Sequence, residues 1–213
     1  SSYPFHLFGF AESRLTGLTS DDDIALPGYA KPLRLDPNKA KTTGILVYHS
    51  VSLNCSRLTK FDKYGVESLW VEIKLKGSKP IIIGFMYRNP AENVDWIDKY
   101  NSLMDEIVLL NREIIILGDF NKNLLYPYQN WYNNYSMHGL EQLIDIPTRI
   151  TENTRTLIDH IYTNCKSHIT EVCAPPCGCS DHNAVCLTWH NKQVKIPKAG
   201  HKTIYYRCFK HFN

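Results

Sequence analysis

Apolar residues in this chain come in short runs separated by turn signals. The runs are "FHLFGFAE" (5–12), "GILVYHS" (44–50), "LWVEIKL" (69–75), "IIIGFMY" (81–87), "EIIILGDF" (113–120), "LIDHIYTN" (157–164) and "AVCLTWH" (184–190). Each is short and rich in Ile, Val, Tyr or Phe, which predicts strands rather than helices. "LWVEIKL" alternates apolar and charged residues, as a strand with one wet face does. "EIIIL" is continuously apolar and belongs in the middle of a sheet. The segments 66–75 and 80–87 are joined by "KGSK", a hairpin signal, so part of the sheet is antiparallel. One helix is plain: Trp96, Tyr100, Leu103, Ile107 and Leu110 recur at helical spacing with polar residues between them. A second, shorter helix is expected over "MHGLEQLI" (137–144), ended by Pro147. This order of elements predicts an α+β fold, layered as a sandwich of sheets and helices.

Composition narrows the picture. The chain has 213 residues, 43% of them hydrophobic and 21% charged, which suits one folded domain and excludes a disordered chain. No apolar run approaches the roughly 18 residues of a membrane span. The apolar start has no basic n-region, so no signal peptide is expected and an intracellular or nuclear location is. The chain opens at Ser1 and runs straight into a strand, which leads to the expectation that it begins partway through a longer protein. The net charge of +3 is uneven. Segment 191–213 holds Lys192, Lys195, Lys198, Lys202, Arg207 and Lys210 with no acid, so 18 basic residues face 21 acidic ones in 1–190. The reading is a slightly acidic domain, 1–190, followed by a basic linker or tail, 191–213. Such a body does not bind nucleic acid by charge alone, though it can hold a cation with carboxylates. Cys173, Cys177, Cys179 and His182 would offer four zinc ligands, but at a spacing that matches no common structural site. Reduced thiols are the plainer reading of the seven cysteines.

Three short motifs carry chemistry. In "IIILGDFNKN" (114–123) a strand ends at Gly118, and Asp119 and Asn121 point the same way while Phe120 points into the core. A carboxylate and a carboxamide so placed can orient a water and hold a phosphoryl oxygen; an Asx turn is the simpler alternative. In "LIDHIYTN" Asp159 lies in an apolar strand and needs a partner, either backbone donors or a histidine from elsewhere. In "CSDHNAVCLTW" (179–189) a polar triplet, Ser180-Asp181-His182, stands before a strand. His182 is the natural general acid or phosphate ligand there.

In this order, and with "GFAESRL", "LPGYA", "GILVYHS", "FMYRNP", "ILGDFNKN", "PTRITENTRTLIDHIYTN" and "CSDHNAV", the chain resembles the endonuclease/exonuclease/phosphatase (DNase I-like) superfamily. Within it, the chain is similar to the endonuclease domain of LINE-type (non-LTR) retrotransposon polyproteins. The resemblance implies a four-layered α/β sandwich and Mg²⁺- or Mn²⁺-dependent hydrolysis of a phosphodiester in double-stranded DNA. It also implies a covalently linked reverse transcriptase domain in the parent polyprotein, primed by the target-site nick. Glu12 matches the metal ligand and Tyr87 a phenol that donates to the phosphate. Asp119 matches the residue that orients or deprotonates water, and Asn121 the one that holds the scissile phosphate. Asp159 matches the carboxylate that orients the catalytic His182. Asp181 matches a support for the metal or the histidine, and Ser180 a phosphate-contacting hydroxyl. Segment 148–156 matches a hairpin that enters the DNA groove, with Arg149, Thr151 and Arg155 as contacts.

The match also has gaps. The family's upstream strand with an active-site Asn, and the helix after it, have no counterpart here, and only Gly44 remains of a glycine run. The expectation is an N-terminally truncated sandwich, poorly stable alone, that nicks DNA weakly or not at all. Two other readings stand beside it. One is a lipid or nucleotide phosphodiesterase or phosphatase of the same superfamily, with the five aromatics of 121–135 facing its substrate. The other is a non-catalytic remnant that binds nucleic acid or a partner.

Overall fold

The computed structural model describes residues 5–37, 43–91, 95–126 and 129–191. Its strands are β1 (Leu7–Ala11), β2 (Leu33–Leu35), β3 (Ile45–His49), β4 (Cys55–Arg57), β5 (Ser68–Ile73), β6 (Ile81–Tyr87), β7 (Glu113–Asp119), β8 (Glu141–Gln142), β9 (Arg149–Ile150), β10 (Arg155–Thr156), β11 (Asp159–Thr163), β12 (Ile169–Cys173) and β13 (Cys186–Trp189). Its two α-helices are α1 (Trp96–Val108) and α2 (Gln129–Ser136). The seven apolar runs all become strands, and the helix expected from Trp96 onward forms.

A six-stranded sheet runs β4-β5-β6-β7-β11-β8. The hairpin β5–β6 is antiparallel, β6–β7 is the parallel pair bridged by α1, and β11 returns antiparallel to β7. On one face of this sheet, α1 and α2 bury Trp96, Tyr100, Leu103, Met104, Ile107, Trp131 and Tyr135 against Trp70, Ile82, Met86, Ile114 and Ile116. On the other face lie the sheet β1-β3-β2 and the pair β12–β13, whose inward residues pack on Leu69, Val71, Ile83, Phe85 and Ile115. The fold is α+β, and the described residues supply three layers: helices, large sheet and small sheets. Gly118 shows how tightly the central strands meet. Its φ is +147°, and a β-carbon there would lie 1.9 Å from the Met86 carbonyl oxygen, so no side chain fits.

The second helix differs from expectation. Residues 137–144 are not helical; α2 ends at Ser136 and Glu141–Gln142 pair with β11. Gly139, at φ +70°, takes the left-handed turn that closes the helix, and its amide bonds back to the Ser136 carbonyl. The helix sits earlier because Trp131 and Tyr135, one turn apart, anchor it in the core. Those two aromatics are therefore packing residues rather than surface ones, whereas Tyr126 and Tyr132 are exposed. The basic segment lies outside the described residues, save Asn191.

One polar chain crosses the helical side of the core. Trp131 Nε1 donates to the Tyr162 hydroxyl (2.9 Å), which lies 2.8 Å from His160 Nδ1, and His160 Nε2 lies 2.9 Å from the Lys122 carbonyl oxygen. His160 is fully buried, and burial pushes its pKa down to about 4. The unfolded chain takes up this proton near pH 6.5 and the folded chain only near 4. The contribution is therefore complete above about pH 6.5 and is lost as pH falls towards 4, about 3 kcal/mol in all. Denaturant melts at pH 7 and pH 4.5 are expected to show a steeper acid loss in this chain than in its His160→Gln variant; equal losses would refute the assignment.

Candidate active site

The site begins with a register. In the β7–β11 pair, Asp119 stands directly opposite Asp159, so both carboxylates emerge on one face at the strand ends. Both are buried. Beyond Asp119 the chain turns sharply: the Asn121 amide donates to Asp119 Oδ1 (2.8 Å), and Asn121 Nδ2 donates to Asp119 Oδ2 (3.2 Å) and the Arg88 carbonyl (2.9 Å). This is an Asx turn, and it also brings the carboxamide beside the carboxylate. The simple and the functional readings of this motif therefore describe one geometry. Asn121 has φ +49°, left-handed backbone that asparagine adopts readily, whereas Glu12, at φ +52°, takes a conformation uncommon for its residue type.

His182 arrives from the segment before β13. Its Nδ1 lies 3.0 and 3.1 Å from the two Asp159 oxygens, so the strand-bound carboxylate has the partner its apolar setting requires. One ligand atom from each of Asp119, Asp159 and His182 falls within 4.8 Å of the others. Thr148 explains why the two halves of the pair meet. It is fully buried, and its Oγ1 accepts the Ile158 and Asp159 amides at 3.1 and 2.9 Å. Its carbonyl accepts the Asn183 amide at 2.6 Å. Sequence reasoning missed Thr148; only the proline before it, which sets an extended entry, hints at a special backbone position there.

On the opposite side, Tyr87 ends β6 and its hydroxyl donates to Glu12 Oε1 at 2.5 Å. Glu12 Oε2 also meets Arg14 at 3.2 Å. Burial first, and then the Asp159 charge, push Asp119 up to about 7. His182 is raised, chiefly by its bond to Asp159. Desolvation and the Glu12 contact carry Tyr87 well above the usual phenol range. Asp119 and Asp159, with His182, offer two carboxylate oxygens and a ring nitrogen close enough together to hold a metal ion, and Glu12 adds its charge to Asp119.

Tyr87, Glu12, Asp119, Asn121, Asp159 and His182 are thus connected by close contacts or mutual charge. Asp181 is placed otherwise: its carboxylate accepts Arg149 Nε at 2.8 Å, and both side chains are exposed. Arg149, expected at the DNA, is the partner in that pair. Arg149 and His182 also form an isolated β-bridge, which fastens the β9–β10 hairpin to the 180–182 segment. Ser180 Oγ accepts the His182 amide at 3.1 Å. Thr151 Oγ1 caps the hairpin tip, accepting the Asn153 and Thr154 amides. Arg155 is exposed on the hairpin. The cysteines do not gather around His182: Cys177 and Cys179 lie 3.3 Å apart, and Cys173 faces Cys186 across β12–β13.

No protein-family model matches the sequence, and no curated protein matches it. Solved structures do match in shape. The endonuclease domain of TRAS1, a telomere-specific non-LTR retrotransposon, is 14% identical with a TM-score of 0.63, over 79% of this chain and 83% of that one. The catalytic domain of Xenopus laevis APE2 is 13% identical with a TM-score of 0.64, over 88% and 86%. The 3′ phosphatase NExo from Neisseria, solved with a product DNA hairpin, is 14% identical with a TM-score of 0.60, over 88% and 90%. The chain has the DNase I-like fold of these endonuclease/exonuclease/phosphatase proteins.

The site electrostatics set a pH dependence. A carboxyl raised from 3.8 to about 7 on folding favours the folded state below its ordinary value, and that contribution is lost as pH rises through 7. A cation that replaces the proton offsets the loss. Millimolar Mg²⁺ is expected to raise the melting temperature at pH 8 more than at pH 5, and the difference is expected to shrink in Asp119→Asn. Equal shifts at both pH values would overturn the reading.

Proposed function

We propose that this chain is a divalent-metal-dependent phosphodiesterase that nicks double-stranded DNA, the endonuclease part of a non-LTR retrotransposon polyprotein. On this reading 1–190 is the nuclease domain and 191–213 the basic lead into a linked reverse transcriptase. The observation that carries it is the Asp159–His182 pair set against Asp119 and Asn121 at one end of the sheet. The likeness to the TRAS1 endonuclease supports the retrotransposon assignment.

The chemistry follows from protonation states. Two carboxylate oxygens facing His182 Nδ1 hold a hydrogen there, which turns Nε2 towards the substrate. Asp159 favours the imidazolium, so His182 donates to a phosphoryl oxygen as negative charge builds on it. Asp119, with its proton affinity raised to near neutrality, takes a proton from the water that attacks phosphorus in line. Asn121 Nδ2 and the Tyr87 hydroxyl become donors for the remaining phosphoryl oxygens by releasing Asp119 Oδ2 and Glu12 Oε1, the acceptors they hold without substrate. Glu12, whose charge already acts on Asp119, is the residue that would hold the cation. When bound, Mg²⁺ or Mn²⁺ supplies charge neutralisation at the phosphate. The β9–β10 hairpin, with exposed Arg155 and Ile150, is the surface for the duplex, and the Arg149–Asp181 pair sets its angle to the site.

The test is Mg²⁺-dependent conversion of supercoiled plasmid to the nicked circle. Asp119→Ala and His182→Ala are each expected to lower the rate at least about 100-fold, and Asp159→Asn about tenfold or more. Nicking that survives both alanine variants, or that ignores chelator, would overturn the mechanism. Cleavage of a 3′-phosphate or a lipid phosphate with no nicking would move the chain to another substrate class within the fold.

A further inference from the structure

Asn121 sits at φ +49° in the turn that follows Asp119, and the backbone around it is held from β11. Phe120 N donates to the Ile158 carbonyl, Leu124 N to the Leu157 carbonyl, and Leu157 N to Asn123 Oδ1, at 2.9, 3.0 and 3.0 Å. The residue directly after Asn121 is held by a side chain instead. His160 Nε2 lies 2.9 Å from the Lys122 carbonyl oxygen and 3.2 Å from that of Leu157. The His160 ring also stacks on Phe120, centroids 5.0 Å apart and planes 11° from parallel. His160 therefore touches the residues on both sides of Asn121, while its own strand neighbour, Asp159, holds His182.

The direction of every hydrogen in this chain is determined. An indole N–H only donates, so Trp131 Nε1 gives its hydrogen to the Tyr162 oxygen. The two carbonyl oxygens facing Nε2 only accept, so the ring hydrogen resides on Nε2. Nδ1 is then bare and accepts the Tyr162 hydroxyl hydrogen. A reversed ring would set the Nε2 lone pair against the Lys122 and Leu157 carbonyls and leave the buried Tyr162 hydrogen unpaired. Trp131 donates to the Tyr162 oxygen and so holds that hydroxyl in place from helix α2.

We propose that His160, held as the Nε2-protonated imidazole between the Lys122 and Leu157 carbonyls and the Tyr162 hydroxyl, is a positioning residue that fixes the Asn121 turn against β11 for phosphodiester hydrolysis. The proposal rests on the reading of the site given above, although the turn's geometry can be measured apart from activity. A purely space-filling role would be met equally well by phenylalanine, which stacks on Phe120 but offers no donor to Lys122.

The experiment compares this chain with His160→Phe, His160→Gln and Tyr162→Phe. It measures thermal unfolding, kcat and KM for Mg²⁺-dependent plasmid nicking, and the NMR resonances of the Asn121 side-chain amide. His160→Phe is expected to lower kcat about tenfold with KM little changed, and to shift the Asn121 resonances. His160→Gln, which keeps a donor towards Lys122 and an acceptor towards Tyr162, is expected to recover most of both. Tyr162→Phe keeps the imidazole and its stacking but removes the hydroxyl that donates to Nδ1 and holds the ring in place. It is expected to move both readouts in the same direction and by less. It also serves if His160→Phe does not fold. A folded His160→Phe or Tyr162→Phe with native kcat and native Asn121 resonances would overturn the proposal. If the unsubstituted chain cleaves no phosphodiester while the resonances shift and His160→Gln restores them, the proposed function fails and the control of the turn stands.

Discussion

Asp119 and Asp159 face each other across a pair of strands whose register is set by the packing of Ile115, Ile116, Ile161 and Tyr162. Two buried like charges facing each other repel, and the sheet cannot relax by slipping, because a one-residue shift would exchange the residues each strand packs against the helices with those it packs against the small sheets. The surrounding polar arrangement answers this repulsion. His182 lies against Asp159, the Asn121 turn donates twice to Asp119, and the raised proton affinity of Asp119 marks the negative charge that is left. A site that stores this much unneutralised charge favours a cation and a developing proton transfer, the two things phosphodiester hydrolysis requires.

The supports of the pair come from far apart in sequence. Thr148 joins the amide of Asp159 to that of Asn183, so the loop after His182 and the start of β11 share one buried residue. The hairpin that begins at Arg149 grows out of the same point, and the Arg149–Asp181 contact ties its flank to the His182 segment. An exposed surface hairpin is thereby anchored to the segment that carries His182. On the other side, the indole-to-imidazole chain runs from α2 to the backbone beside Asn121. Both supports act on backbone amides and carbonyls through buried side chains, Thr148 on one side and the Trp131, Tyr162 and His160 chain on the other.

The strands were legible because their apolar runs are short, β-branched and bounded by turns, and the register of Asp119 and Asp159 follows once those runs pair. The helix at 129–136 was not legible. Its anchors, Trp131 and Tyr135, stand in a polar, Asn-rich stretch that reads as loop until the core that receives them exists. The segment "MHGLEQLI" has better helical spacing, yet Gly139 turns the chain and Glu141–Gln142 add to the edge of the sheet. Propensity lost to tertiary packing in both places.

By itself, the order of residues determined the α+β class, the seven principal strands, the long helix, and the set of polar residues at strand ends that resemble a phosphodiesterase site. The elements follow from periodicity, a local property, and the site set from the resemblance of its motifs, in their order, to those of the superfamily. Tertiary structure alone decided who partners whom. Asp181 and Arg149, each read as turned to metal or DNA, neutralise one another because the hairpin folds over the His182 segment. Thr148 and His160, neither of which stood out in the sequence, meet the Asp159 amide and the Lys122 carbonyl beside Asn121. Hydrogen-bond direction and charge pairing depend on distances of about 3 Å between residues far apart along the chain, and only the folded packing sets those distances.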